Sequence, residues 1–211
     1  MVAGVSSLNG VAATRGLDIV AIGETMLRLE VPEGRALEAV TRFDVEVAGA
    51  ESNVAAILAR LGYRSAWLSA LPADDLGRKV ENTIRIHGVD TSRVIWRAAP
   101  SRIGIYYWEP GAWPRPGRII YDRAGSAFSS IQPSEIEWDF VSRARYLLVS
   151  GISAAVSSSS LATVSEAIQR AVHHGQHVAF DVNYRASLWS PEAARAAISP
   201  LLNGIGTLFC P

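Results

Sequence analysis

"AGAESNVAAILARLGYRSAWLSAL", residues 48–71, decides the fold. It opens on three small residues, Ala48, Gly49 and Ala50, and runs without a break into a helical pattern. Val54, Ile57, Leu58 and Leu61 recur there at i, i+3, i+4 and i+7, and Gly62 stops the pattern. "SAWLSAL", residues 65–71, follows as a short apolar run with no alternation, as a strand covered on both faces reads. A helix feeding directly into such a strand is half of a strand-helix-strand unit. "LDIVAIG", residues 17–23, supplies the strand before it.

The same grammar continues along the chain. "RYLLVSG" (145–151), "HVAFDV" (177–182) and "GTLFC" (206–210) are further unalternating apolar runs. Between the strands, Leu76, Val80, Ile84 and His87 mark a second helix ending before Gly88, and a third runs from about 160 to 175. Ser190-Pro191 begins a fourth, a capping residue followed by proline at the first helical position. The "SSSS" run at 157–160 reads as a loop and a helix cap. Alternation of this kind predicts an α/β, Rossmann-like layer sandwich on a mostly parallel sheet.

Two stretches break the rhythm. Residues 26–47 and 92–123 are rich in aromatic, β-branched, Gly and Pro residues, and they predict exposed strands and turns. They are read as a small β lid made from two insertions and able to cover a ligand; long irregular loops are the other reading. The α/β core is then 17–25, 48–91 and 124–211, with 1–16 a flexible leader lacking the build of a signal peptide.

Composition narrows the function. The 211 residues are 49% hydrophobic, enough for a substantial core, and Lys+Arg and Asp+Glu both number 20. A formal net charge of +0 provides no global field for nucleic acid or an anionic membrane, so neither is expected as a partner. No apolar run is long enough to span a bilayer. The single cysteine, Cys210, excludes an intramolecular disulfide, reads as a small buried residue and fits a cytoplasmic setting. His173, His174 and His177 have no carboxylates near them in sequence, and no metal site is expected there. The sequence contains no Walker loop and no G-x-G-x-x-G.

Three places carry candidate binding residues. At the elbow, Gly49 lets the backbone approach a neighbour closely, the free N–H groups of the helix start point outward, and Asn53 offers a donor and an acceptor. This suits a hydroxyl-rich small molecule, and tight packing of helix on strand explains the same run. "FDVNYR", 180–185, leaves a strand at its carboxyl end, where open α/β sheets bind ligands, and brings together Asp181, Asn183 and Arg185; a self-satisfied loop is the alternative. On the proposed lid stand Tyr106, Tyr107, Tyr121 and Arg123, the last two on one face by strand alternation. Two arginines and tyrosine hydroxyls converging on one pocket would suit a substrate bearing a carboxylate as well as hydroxyls.

These stretches, with "LPADDLGR" (71–78), "HGVDTS" (87–92), "GSAFSSI" (125–131), "LLVSGIS" (147–153) and "DVNYRASLWSPEAAR" (181–195), occur in the order seen in the ribokinase-like, or PfkB, carbohydrate kinases. The chain resembles the 2-keto-3-deoxygluconate kinases among them most, over nearly everything after the leader. The resemblance implies a ribokinase-like three-layer sandwich with a β lid, and a sugar kinase that uses ATP with Mg²⁺ to phosphorylate a sugar hydroxyl. By position, Gly49 and Asn53 would contact sugar hydroxyls, and Tyr106 and Tyr121 would close from the lid. Arg123 and Arg185 would hold a carboxylate, and Glu24 stands where the family has a floor residue. Pro72 departs from the family's glycine in the turn completed by Asp74 and Gly77. The family's Gly-Ala-Gly-Asp catalytic motif and Asn-x-x-Glu magnesium motif do not occur in the sequence. This implies a chain that carries the substrate-binding half, lacks the C-terminal part and is inactive alone. Ribokinase, fructokinase or nucleoside kinase activity, or a non-catalytic module that binds sugar acids or dimerises, are the alternatives. Exposed strand edges on the lid also suggest a homodimer.

Overall fold

The computed structural model of the chain describes residues 16–111 and 113–210, so the expected leader lies outside the described residues except for Gly16. In chain order the elements are β1 (Leu17–Ile22), β2 (Met26–Glu30), β3 (Asp44–Ala48), α1 (Ala50–Arg60), β4 (Ser65–Leu68), β5 (Ala70–Pro72), α2 (Asp75–Arg85), β6 (Ile95–Arg97), β7 (Ile105–Glu109), β8 (Arg118–Asp122), α3 (Trp138–Ser142), β9 (Ala144–Ser150), α4 (Gly151–Ala155), α5 (Ser158–His173), β10 (His177–Asp181), α6 (Pro191–Ile198) and β11 (Thr207–Phe209). Short 3₁₀ turns join several of them.

The central sheet is parallel throughout, in the order β11-β10-β9-β1-β4. The chain leaves β1 in one direction through α1 to β4, and later moves the other way from β9 to β10 and β11. Right-handed crossovers in opposite directions put their helices on opposite faces. Alternate residues of β1 show the two faces. Val20 and Ile22 join Val164 and Ile168 of α5 and Ile198 of α6 in one cluster, while Ile19 and Ala21 join Ala55 of α1 and Val80 and Ile84 of α2 in another. Val20, Ile22, Leu147, Val149 and Phe180 are fully buried, each contributing about 1.5–3 kcal/mol of hydrophobic stabilisation.

The helix ends follow the expected chemistry. Ser157 caps α5 by accepting from the Ser160 N–H at 3.0 Å, and Ser190 caps α6 by accepting from the Ala193 N–H at 3.2 Å. Gly62 ends α1 at φ 91°, a conformation that suits glycine. Asp74 caps α2, accepting from the Gly77 N–H at 2.9 Å, so the turn that carries Pro72 closes through a side chain.

Four expectations differ. The apolar stripe of α1 is only partly buried: Ile57 and Leu61 are 59% and 69% exposed and Leu58 packs partly against the core, while the fully buried residues of the helix are Glu51, Ser52 and Ala55. Small residues permit close approach there, and the Ser65 hydroxyl reaches the Ala55 carbonyl at 2.8 Å. The run 65–71 is two strands, because Ala70–Pro72 leaves the main sheet to pair with Ile95–Arg97. Cys210 is exposed, since β11 is an edge strand. The strands were also expected to be covered on both faces. Among the described residues, α4, α5 and α6 cover one face of β9 to β11, and the other leaves Tyr146 and Phe209 exposed.

A second sheet, ordered β3-β2-β7-β8, is built from the aromatic and β-branched stretches. Its β2 and β7 run parallel and its outer pairs antiparallel. One face sends Leu27, Val47 and Ile105 to the core on the α1 side. The other face carries the row Glu46, Arg28, Tyr106 and Tyr121, directly opposite one another in register.

Candidate functional site

Both directions of the central sheet start from β1, so the order reverses between β1 and β9; ligands of open α/β sheets bind outside the carboxyl ends of the strands at such a point. The segments that meet there are the turn Gly23–Thr25 after β1, the elbow before α1, the start of α4 after β9 and the loop after β10. The second sheet adds the end of β8.

The elbow is packed on the protein itself. A Cβ on Gly49 would overlap Thr25 Oγ1 and lie 2.6 Å from the Glu24 carbonyl oxygen. Thr25 Oγ1 donates to Ser52 Oγ at 2.7 Å, and Ser52 Oγ donates to the Gly49 carbonyl at 3.2 Å. The close approach that requires glycine is therefore made to the β1–β2 turn. Asn53 follows in the first turn of α1 with its side chain exposed.

Glu24 lies beneath, 5% exposed. Its carboxylate accepts from Arg123 Nη2 on one oxygen and from the Ser126 hydroxyl on the other. Arg123, at 7% exposure, is thus held across a sequence separation of 99 residues. Its Nε is buried and has no hydrogen-bond partner among the described residues, an unspent donor beside a satisfied pair. Sequence reasoning placed Glu24 and Arg123 in the site separately and missed that they pair.

Glu51 was missed altogether. It is 1% exposed, and its Oε1 accepts from the hydroxyls of Ser150 at 2.5 Å and Ser153 at 2.6 Å. Burial pushes its carboxyl above the ordinary value of 4.5, opposed by the two serine hydroxyls and the charge of Arg123. The signal available in sequence was a charged residue in the first turn of a helix, which ordinarily reads as solvated.

The second sheet contributes two aromatic rings. Tyr106 and Tyr121 sit opposite each other with ring centroids 5.7 Å apart. Burial raises the pKa of the half-buried Tyr106, opposed first by the charge of Arg28. Tyr121 and Arg123 line one wall of a cleft of about 570 Å³, and Ala155, Val156, Ser187 and Leu188 line the other.

The loop after β10 behaves differently. Asp181 accepts from the Asn183 N–H at 3.0 Å, and Asn183 takes φ 37°, in the left-handed region that asparagine tolerates. Arg185 is exposed and has no side-chain partner among the described residues, two residues before the cleft wall at Ser187. The two arginines thus approach the cleft region from different elements, one buried and paired, the other open. A larger groove of about 780 Å³ lies on the open sheet face between Leu148, Ala179, Phe209 and Val54 of α1. Its lining is mainly apolar and also takes in Glu51, Ser150 and Asp181, so the structure places Asp181 at this groove. His177 Nε2 is 2.7 Å from Thr207 Oγ1, and among the described residues no group of three or more His, Cys, Asp or Glu could hold a metal ion. No helix among the described residues is long and apolar enough to cross a membrane.

Comparison with known proteins agrees with this architecture. The chain is 44% identical over 191 residues to the 2-dehydro-3-deoxygalactonokinase of Haloferax volcanii, covering 90% of this chain and 59% of that protein. It is 33% identical to the 2-dehydro-3-deoxygluconokinase of Bacillus subtilis, covering 92% and 60%. The crystal structure of the 2-dehydro-3-deoxygluconokinase of Thermotoga maritima superposes with a TM-score of 0.86 at 35% identity, over 91% of this chain and 59% of that one. The chain therefore spans 59–60% of the length of these three relatives. The sequence profile described as "pfkB family carbohydrate kinase" matches residues 17–210, and with the parallel sheet, the second β sheet and the elbow in place, the chain belongs to that family.

Proposed function

We propose that this chain forms the acceptor site of a 2-keto-3-deoxy sugar-acid kinase, holding the acid for phosphorylation of a hydroxyl by ATP with Mg²⁺ in the complete enzyme. The observation that carries this reading is the unpaired Arg185 near a cleft whose opposite wall holds Arg123 with a buried, unused Nε. A guanidinium matches a carboxylate in a way that a neutral sugar cannot exploit. In this reading Asn53 and the loop of Asp181 and Asn183 serve the hydroxyls, Tyr106 and Tyr121 close over the ring from the second sheet as a lid, and Glu24 keeps Arg123 in place. Gly49 contributes by holding the start of α1 against the β1–β2 turn. The names of the Haloferax and Bacillus relatives, a galactono- and a gluconokinase, support a keto-deoxy acid as the acceptor class.

The Gly-Ala-Gly-Asp and Asn-x-x-Glu stretches through which the family resemblance implies catalysis and Mg²⁺ binding do not occur in the sequence. The share of this chain is to bind and orient the acceptor, and alone it binds without turnover. Calorimetry tests the assignment. Arg185→Ala is expected to weaken binding of 2-keto-3-deoxygluconate by about 1.5–3 kcal/mol, the range for a hydrogen bond to a charged group, with little change for ribose or fructose. Equal losses for acid and neutral sugars would refute it.

Pairing of two copies through the second sheet belongs to the same reading. Its edge strands β3 and β8 expose Val45 (43%), Ile119 (43%) and Ile120 (41%), and unpaired edges with apolar side chains favour strand addition. Light scattering at micromolar concentration is expected to give the mass of a dimer, and a monomer mass contradicts it.

A further inference from the structure

Glu51 fills the base of the crevice between β1 and β9. A Cβ on Gly23, just after β1, would overlap its carboxyl group, so the glycine leaves the space that the carboxyl occupies. Its Oε1 takes both serine hydroxyls. Ser150 is the last residue of β9 and caps α4 by accepting from the Ser153 N–H at 3.3 Å, and Ser153 lies in the first turn of α4. One carboxyl oxygen therefore ties the start of α1 to the start of α4.

That short helix touches the candidate site at both ends. At its start, a Cβ on Gly151 would overlap the Val182 carbonyl oxygen, one residue before Asn183 and three before Arg185. At its far end, Ala155 and the following Val156 form the cleft wall opposite Tyr121 and Arg123. A buried carboxyl costs free energy that an apolar side chain of the same shape would not, so packing alone gives no reason for this residue type.

We infer that Glu51 is a positioning residue of the acceptor site: by holding α4 against α1 it sets the spacing between the wall that bears Arg123 and the loop that bears Arg185. The inference rests on the sugar-acid reading of the cleft, and misplacement of binding groups by a fraction of an ångström weakens recognition even where every contact residue is present.

The test uses the full chain and its Glu51→Gln, Glu51→Ala and Ser153→Ala variants, at a temperature where circular dichroism shows each to be folded. Glu51→Ala is expected to lower affinity for 2-keto-3-deoxygluconate by about tenfold or more, while Glu51→Gln, which keeps an oxygen for both hydroxyls, stays within about threefold of the parent. Ser153→Ala should fall between them. Hydrogen exchange of 151–156 and 183–188 provides a readout without ligand: it is expected to quicken in Glu51→Ala and not in Glu51→Gln. Unchanged affinity and unchanged exchange in a folded Glu51→Ala, with only a lower melting temperature, would make the carboxyl a structural strut and overturn the inference. If the parent chain itself does not bind the acid, the sugar-acid reading fails, and the exchange experiment alone decides the role of Glu51.

Discussion

The floor of the candidate site and its rim are built on opposite terms. On the floor, Glu24, Arg123, Ser126, Glu51, Ser150 and Ser153 are all buried, and their polar groups are mostly spent on one another. On the rim, Asn53 and Arg185 are exposed and, among the described residues, direct no side-chain hydrogen bond at the protein. Preorganised groups keep a fixed geometry and contribute to stability, whereas open groups keep their donors for a ligand. Mutations in the two regions should therefore separate stability from affinity.

The largest effect is expected on the floor. Glu24→Ala leaves the Arg123 guanidinium buried without its partner, a change that typically costs about 3–5 kcal/mol, measurable as a shift of the urea midpoint. A loss below about 1 kcal/mol would show that the pair contributes little and would erase the distinction between floor and rim. Arg185→Ala is the counterpart on the rim. Its cost should fall on acid binding, with stability changed by less than about 0.5 kcal/mol, as for an exposed substitution. Gly49→Ala comes next. The added methyl meets Thr25 Oγ1 and the Glu24 backbone, so overpacking should destabilise by about 1–3 kcal/mol. An unaffected melting temperature would show that the turn yields freely.

The smallest effect is a slope with pH. In the folded chain the Glu51 carboxyl holds its proton more tightly than in the unfolded chain, where it titrates near 4.5. Its contribution to stability is thus fully present below about 4.5 and declines as pH rises from there through the raised folded value, at no more than about 1.4 kcal/mol per pH unit for one proton. Glu51→Gln should remove that decline, seen as the difference between the two proteins' stability curves. Parallel curves would mean that the carboxyl titrates alike in the folded and unfolded chain, against the raised folded value. Asp18 and Glu135, held low by Arg64 and Arg97, act with the opposite sign, and the subtraction cancels them.

Much of the fold is legible in the sequence because it depends on local pattern. Unalternating strands, capping serines at 157 and 190 and the glycine after Leu61 each act over a few residues, and the aromatic, β-branched stretches marked the second sheet for the same reason. The short α3 and α4 carry too few residues for a period to emerge, and they went unread. The α1 stripe shows a further limit: periodicity found the helix, yet its fully buried residues are Glu51, Ser52 and Ala55, whose partners Thr25, Ser65, Ser150 and Ser153 come from other elements and leave no trace in the period.

The candidate site divides along the same line. Residue types and their order pointed to Asn53, Arg185 and the two tyrosines, whose side chains can be read without knowing a neighbour. What the tertiary structure alone decided is which groups are already taken. Arg123 meets Glu24 from 99 positions away, and Glu51 meets Ser150 from the same distance. By itself the sequence determined an α/β sandwich with a second β sheet and a set of polar residues at strand ends, since these follow from local periodicity and side-chain chemistry. Only folding decided that one arginine is buried and paired while the other stays open, because burial and pairing are properties of what the chain brings together in space.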